Sequence, residues 1–230
     1  MKKFLIMAVI MLSSVNTFAQ QPVGTFTIAP KVGMNIANLT DMSFEFGNKM
    51  MKLSPKPRIG LAVGVEGEYQ ISELFSLSAG VMYSMQGLKY SEKIAIPVVG
   101  EQSLEATGKL DYINIPIMAN VYVLKGLAVK LGIQPGFNIA SKLSMDMKGP
   151  MSGGNEEDPD IKDAIQSVDI SIPIGVSYEY ANVVFDARYN WGLSNVFTDK
   201  RTRTILDDFI PGKKSKNSVF QISVGYKFAL

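Results

Sequence analysis

Eight stretches of this sequence alternate apolar residues with polar or small ones at a period of two, which predicts β-strands with two different faces. In 25–36, Phe26, Ile28, Val32, Met34 and Ile36 alternate with Thr25, Thr27, Lys31, Gly33 and Asn35. The same pattern runs through 58–70, 75–86, 111–123, 127–139, 168–180, 183–193 and 219–230. No stretch of useful length shows helical periodicity, and after the N-terminus none approaches the roughly 20 apolar residues of a membrane helix. The connections alternate in length. Those at 71–74, 124–126 and 181–182 are tight, whereas 37–57, 87–110, 140–167 and 194–218 are long and polar. Strands of this length, with short turns at one end and long loops at the other, predict an all-β, eight-stranded antiparallel transmembrane up-and-down β-barrel.

Alternation alone also fits a soluble barrel with a ligand inside. Two observations favour the membrane. The polar face carries Gly60, Gly64, Gly80, Gly132, Gly136, Gly175 and Gly225, a composition suited to a cramped lumen and wasteful on a solvated surface. On the apolar face, aromatics gather at the strand ends. Phe26, Tyr69, Phe75, Tyr178, Tyr180, Phe185, Tyr226 and Phe228 mark the short-turn end, and Tyr83, Phe137, Tyr189, Trp191 and Phe220 the other, as in interfacial girdles. A closed sheet also meets the demand that every backbone polar group in lipid be paired internally.

The N-terminus reads as a targeting segment. Lys2 and Lys3 precede an apolar run over 4–15, and Thr17 and Ala19 are small residues at the two positions a signal peptidase reads. We expect residues 1–19 to be cleaved, leaving 20–230 as one barrel domain, with a retained anchor as the alternative. The chain has no Cys, hence no disulfide, thiolate metal site, cysteine nucleophile or lipidated cysteine. Its 23 Lys plus Arg against 21 Asp plus Glu argue against a nucleic-acid binder. It has no His, which removes the usual general base of barrel hydrolases and argues against an enzyme. No cofactor is expected.

Tyr112–Ile117, Gly126–Gly136 and Asp186–Leu193 resemble the PorT-like outer-membrane β-barrel family of the Bacteroidetes, as do 172–175 and 225–228. The resemblance implies a barrel of the outer membrane, and because one member of that family is associated with type IX protein secretion, it brings in an accessory role in such a machine. Fold likeness does not carry function with it.

Three groups of charge are candidate sites. Lys31, Arg58, Lys130, Arg188 and Lys227 face inward against Glu66, Glu68, Asp169, Glu179 and Asp186. These read as a structural lumen network, with a narrow ion pathway as the alternative. The acidic run 155–160 with Asp163 reads as a solvated loop or, more sharply, a divalent-cation site, although its spacing fits no calcium-loop motif. Lys200, Arg201, Arg203, Lys213, Lys214 and Lys216 could contact lipopolysaccharide phosphates. The expectation is a monomer of the outer membrane with both termini periplasmic and a structural or interaction role. Its partners would be outer-membrane lipid, lipopolysaccharide and possible envelope proteins, and not nucleic acid. A small-solute pore is the rival.

Overall fold

The computed structural model describes residues 21–40, 43–46, 49–52, 55–96, 100–148, 159–198 and 215–230. The expected leader, the acidic residues Glu156, Glu157 and Asp158 and the basic residues of 200–214 lie outside them. The strands are β1 (Phe26–Thr40), β2 (Ser43–Phe46), β3 (Lys49–Lys52), β4 (Lys56–Ser72), β5 (Phe75–Ile96), β6 (Gly100–Asn114), β7 (Ile117–Leu124), β8 (Leu127–Lys148), β9 (Val168–Tyr180), β10 (Val183–Gly192), β11 (Lys216–Tyr226) and β12 (Phe228–Ala229). β6 and β7 form one stave, interrupted at Ile115 and Pro116, and β12 continues β11 past Lys227. Eight staves result, each antiparallel to the next. The ring closes where β1 pairs with β11, Met34 opposite Ile222, and with β12, Thr27 opposite Ala229. Among the described residues, β2 and β3 pair with each other as a separate two-stranded ribbon. The fold is thus an eight-stranded antiparallel up-and-down barrel.

Burial is inverted relative to a water-soluble domain. Arg188 is 1% exposed and Lys130 2%, whereas Ile59 is 70% and Leu131 55%. This sets the alternation of the sequence in space, with charged and amide side chains inside and Val, Ile, Leu and aromatics outside, as lipid requires. No helix among the described residues is long and apolar enough to cross a membrane; the crossing is made by strands.

The long connections are shorter than the polar composition of 87–110 and 140–167 suggests. β5 runs on to Ile96 and pairs with β6 as far as Ile96 opposite Gly100. β8 runs to Lys148, opposite Ser103 of β6. Three staves therefore continue past the others as a ladder. Beyond the apolar belt neither face needs to be greasy, so the period-two signal fades while the backbone pairing persists. Likewise β1 reaches Thr40, β4 begins at Lys56 and β11 at Lys216.

At the opposite end the turns are as tight as expected. Ala181 (φ 48°) and Asn182 (φ 66°) both adopt left-handed backbone, as a two-residue type I′ hairpin demands. Several prolines sit in the wall, and two of them, Pro116 and Pro135, face each other's staves across a ladder. Gly80 N–H donates to Pro116 O at 3.0 Å, and Ile115 N–H donates to Pro135 O at 2.8 Å. In each pair the return bond is missing because proline has no N–H.

Candidate functional site

Eight strands enclose little more than their own side chains, so large charged groups need neighbours that leave room. The register supplies them. Lys31 lies opposite Gly64 on one side and Gly225 on the other, Glu66 opposite Gly80, and both Lys130 and Arg188 opposite Gly175. A Cβ on Gly175 would stand 2.5 Å from the Ala187 carbonyl oxygen and 2.7 Å from the Arg188 Cβ. The lumen glycines are therefore the counterpart of the lumen charges.

The central cluster joins four staves. Glu66 Oε1 on β4 accepts from Lys31 Nζ on β1 at 2.7 Å and from Lys130 Nζ on β8 at 3.0 Å. Lys130 Nζ also donates to Asp186 Oδ2 on β10 at 2.8 Å, and Lys31 Nζ stands 3.6 Å from that oxygen. Arg188 joins at longer range, its Nη1 3.9 Å from Glu66 Oε2 and its Nε 4.0 Å from Asp186 Oδ1. Its Nη1 lies 3.6 Å from the Met118 sulfur. The centre thus holds three cations against two anions.

A second cluster lies nearer the short turns. Lys227 Nζ is 2.8 Å from Glu68 Oε2 and 2.7 Å from Glu179 Oε2. Glu68 Oε1 also accepts from Tyr122 OH at 2.5 Å and Ser76 Oγ at 2.6 Å. Gln21, ahead of the first strand, donates to Glu179 Oε1 at 3.0 Å. One cation faces two anions here, so the two clusters together balance at four of each sign.

Eight of the ten inward charges therefore meet, and two stand apart. Arg58 donates through Nη1 to the backbone carbonyl of Gln86. Asp169 accepts from Ser194 Oγ, and from Asn217 Nδ2 at 3.0 Å. Arg58 also faces the Asp111 carboxylate, Asp169 answers neutral polar groups, both lie toward the long-loop end, and neither enters a cluster. Tyr122 and Ser76 belong to the polar rows legible in the sequence, but their bonds to Glu68 are not.

Sequence reasoning also missed a group at the long-loop mouth. Leu39, Leu110 and Tyr112 point inward there and pack with Ile165 and Val196; Leu88, Ile161 and Phe197 adjoin them. Ile165 and Phe197 form an isolated bridge, Gln166 N–H donates to Val196 O at 2.8 Å, and Val196 N–H donates to Ser215 O at 2.8 Å. Residues expected to be plain loop thus fold an apolar layer over the polar lumen. A short 3-10 turn, Lys162–Ala164, sits within it.

Among the described residues no cluster of carboxylates could hold a metal ion. Asp160 Oδ1 accepts from Lys162 N–H at 2.8 Å, and Asp163 lies in the 3-10 turn. Of the six basic residues considered for lipopolysaccharide, only Lys216 is described; it pairs with Thr40 at the edge of β11.

The closed ring, apolar exterior and charged interior define an integral outer-membrane β-barrel. Residues 18–198 match the outer membrane protein beta-barrel domain family, and the chain belongs to that family. No curated protein matches it. Among solved structures it is similar to Ail, the attachment invasion locus protein of Yersinia pestis, at 16% identity and TM-score 0.42, covering 90% of this chain and 100% of that one. It is also similar to Neisserial surface protein A, at 17% identity and TM-score 0.45, covering 88% and 97%. OprG of Pseudomonas aeruginosa matches at 10% identity and TM-score 0.41, covering 92% and 99%.

Proposed function

We propose that this barrel is a closed, non-conducting structural or interaction protein of the outer membrane, monomeric, with both termini in the periplasm. One observation carries the reading. Lys31, Glu66, Lys130 and Asp186 arise on four different staves, are each no more than 3% exposed, and bond to one another across the lumen. Charges held this way in a poorly hydrated interior are costly to separate, so they act as a cross-brace and leave no path for ions. The apolar layer of Leu39, Leu110, Tyr112, Ile165 and Val196 supports closure at the mouth as well.

The orientation rests on the tight turns at one end and the prolonged β5, β6 and β8 at the other, the longer side facing outward in bacterial barrels. Gln21, the first described residue, bonds to Glu179 and Asn182 beside the short turns, which supports a periplasmic N-terminal side. The stretches resembling the PorT-like family fall on the β6–β7 stave, the β7–β8 hairpin and β10, and support a Bacteroidetes-type barrel. Eight of the described lumen charges answer one another in the two clusters, and with no His in the sequence this supports a non-enzymatic role.

The test is conductance. Wild-type protein reconstituted into a planar bilayer should give no steady ion current. A stable current that changes size in Lys130→Met, in a barrel that remains folded, would replace this reading with the pore.

A further inference from the structure

A proline costs a ladder one hydrogen bond when its nitrogen faces the partner strand, and three prolines of this wall do so in successive seams. Pro116 accepts the Gly80 N–H on its carbonyl and offers none back, so the Gly80 oxygen lacks its ladder donor. Pro135 leaves the Ile115 oxygen in the same position. Pro173 does so to Gly132. The β8–β9 register runs unshifted from Leu131 opposite Ile174 to Gln134 opposite Ser171, which sets Pro173 against Gly132. Glu179 N–H donates to Gly126 O across that seam, and Pro173 shares the parity of Glu179, so its nitrogen points at β8.

The three gaps are neighbours. Gly80, Pro116, Gln134 and Ser171 lie on one hydrogen-bonding row around the wall, and each gap falls within two residues of it. Stave β6–β7 is the most exposed to this loss, because it is interrupted at Ile115 and Pro116 and gives up a bond on each edge there. Farther round the ring the β10–β11 ladder runs without a shift from Val183 to Trp191.

Side chains do not restore what the backbone loses. Gly80 and Gly132 stand across from two of the prolines and bring no side chain to the ladder. The central ion pairs join β1, β4, β8 and β10. Among the described residues they include none of β5 or β9, and they reach β6–β7 only through the Met118 sulfur, 3.6 Å from Arg188 Nη1. A backbone carbonyl left without a donor is costly inside a membrane, so the closed form of this panel is less favoured than the rest of the wall.

We infer that the wall opens sideways here, stave β6–β7 swinging away from its neighbours about Ile115 and Pro116 while the remaining ring and its ion pairs stay shut. Such an opening joins the lumen to the hydrocarbon layer and not to water. It therefore goes beyond the closed-barrel reading without conducting ions.

The experiment is amide hydrogen exchange, followed by NMR on the full barrel in lipid nanodiscs. Local opening lowers protection only where it occurs. The amides of Gly80 and Ile115 should be protected at least tenfold less than those of Arg188 and Gln221, which lie directly opposite each other in the unbroken β10–β11 ladder. Pro116→Ala and Pro135→Ala each restore a donor. Together they should raise protection at Gly80 and Ile115 at least tenfold and leave Arg188 and Gln221 unchanged. Heat-modifiable gel mobility certifies that each variant is folded; if the pair is not, Pro135→Ala alone should still raise protection at Ile115 several-fold. Equal protection of the two groups in wild type, or protection unmoved by the restored donors in a folded variant, would overturn the opening and leave the prolines as a fixed bend. A steady current in the bilayer assay would refute the closed lumen and leave this comparison of amides as it stands.

Discussion

Lys130 and Arg188 look interchangeable in the sequence, both inward cations at mid-strand, yet the structure predicts that removing them has unequal cost. Lys130 Nζ is held by Glu66 Oε1 at 3.0 Å and Asp186 Oδ2 at 2.8 Å. Without it, the nearest ammonium to Asp186 is Lys31 at 3.6 Å, and a buried carboxylate is left poorly answered. Breaking a buried pair from one side costs about 3–5 kcal/mol. At 1.4 kcal/mol per tenfold, Lys130→Met should raise the unfolded fraction roughly 100- to 4,000-fold. Among the described residues Arg188 has no carboxylate closer than 3.9 Å, and its loss leaves two cations facing two anions at the centre. Arg188→Met, which keeps most of the volume, should cost no more than about 2 kcal/mol. Urea unfolding in lipid vesicles would measure both. Trp191, the single tryptophan, faces outward at 55% exposure and reports the loss of the lipid environment. Equal costs for the two variants would show that contact distance in the lumen does not set its energetics.

Two further outcomes concern the wall and its turns. Leu131→Arg places a charge on the lipid face of β8 and should cost about 2–4 kcal/mol, read as lost heat-modifiable mobility, whereas Leu131→Met should behave as wild type. Ala181→Gly should raise the urea midpoint, because alanine at φ 48° carries a left-handed strain of about 1 kcal/mol that glycine does not; a lowered midpoint would show that the turn is not strained.

The fold was legible because lipid and lumen impose opposite demands on successive residues, and Thr27, Lys31 and Asn35 against Val32 and Met34 record that directly. The strand ends were not, since past Gly87 and Ala140 both faces lie clear of the hydrocarbon and the alternation loses its cause. In the lumen, parity identified which charges point inward. It could not say at what height, because height depends on the stagger between staves, and so Arg58 and Asp169 were grouped with charges they do not reach. The apolar layer at the mouth was hidden for another reason: Ile165 and Val196 come from loops, where no period exists to mark a buried position.

The inverted burial also divides the molecule by how much fit each side requires. The lumen residues touch one another, so Lys130, Glu66 and Asp186 can change only together, and the glycines that make room for them are bound by the same condition. Ile59, Leu131 and Val176 meet a fluid that takes the shape of whatever faces it. Any apolar side chain serves there. Such a barrel is free to change its coat from one descendant to the next while keeping its interior, so the drift that separates relatives should be written on alternate residues of every stave.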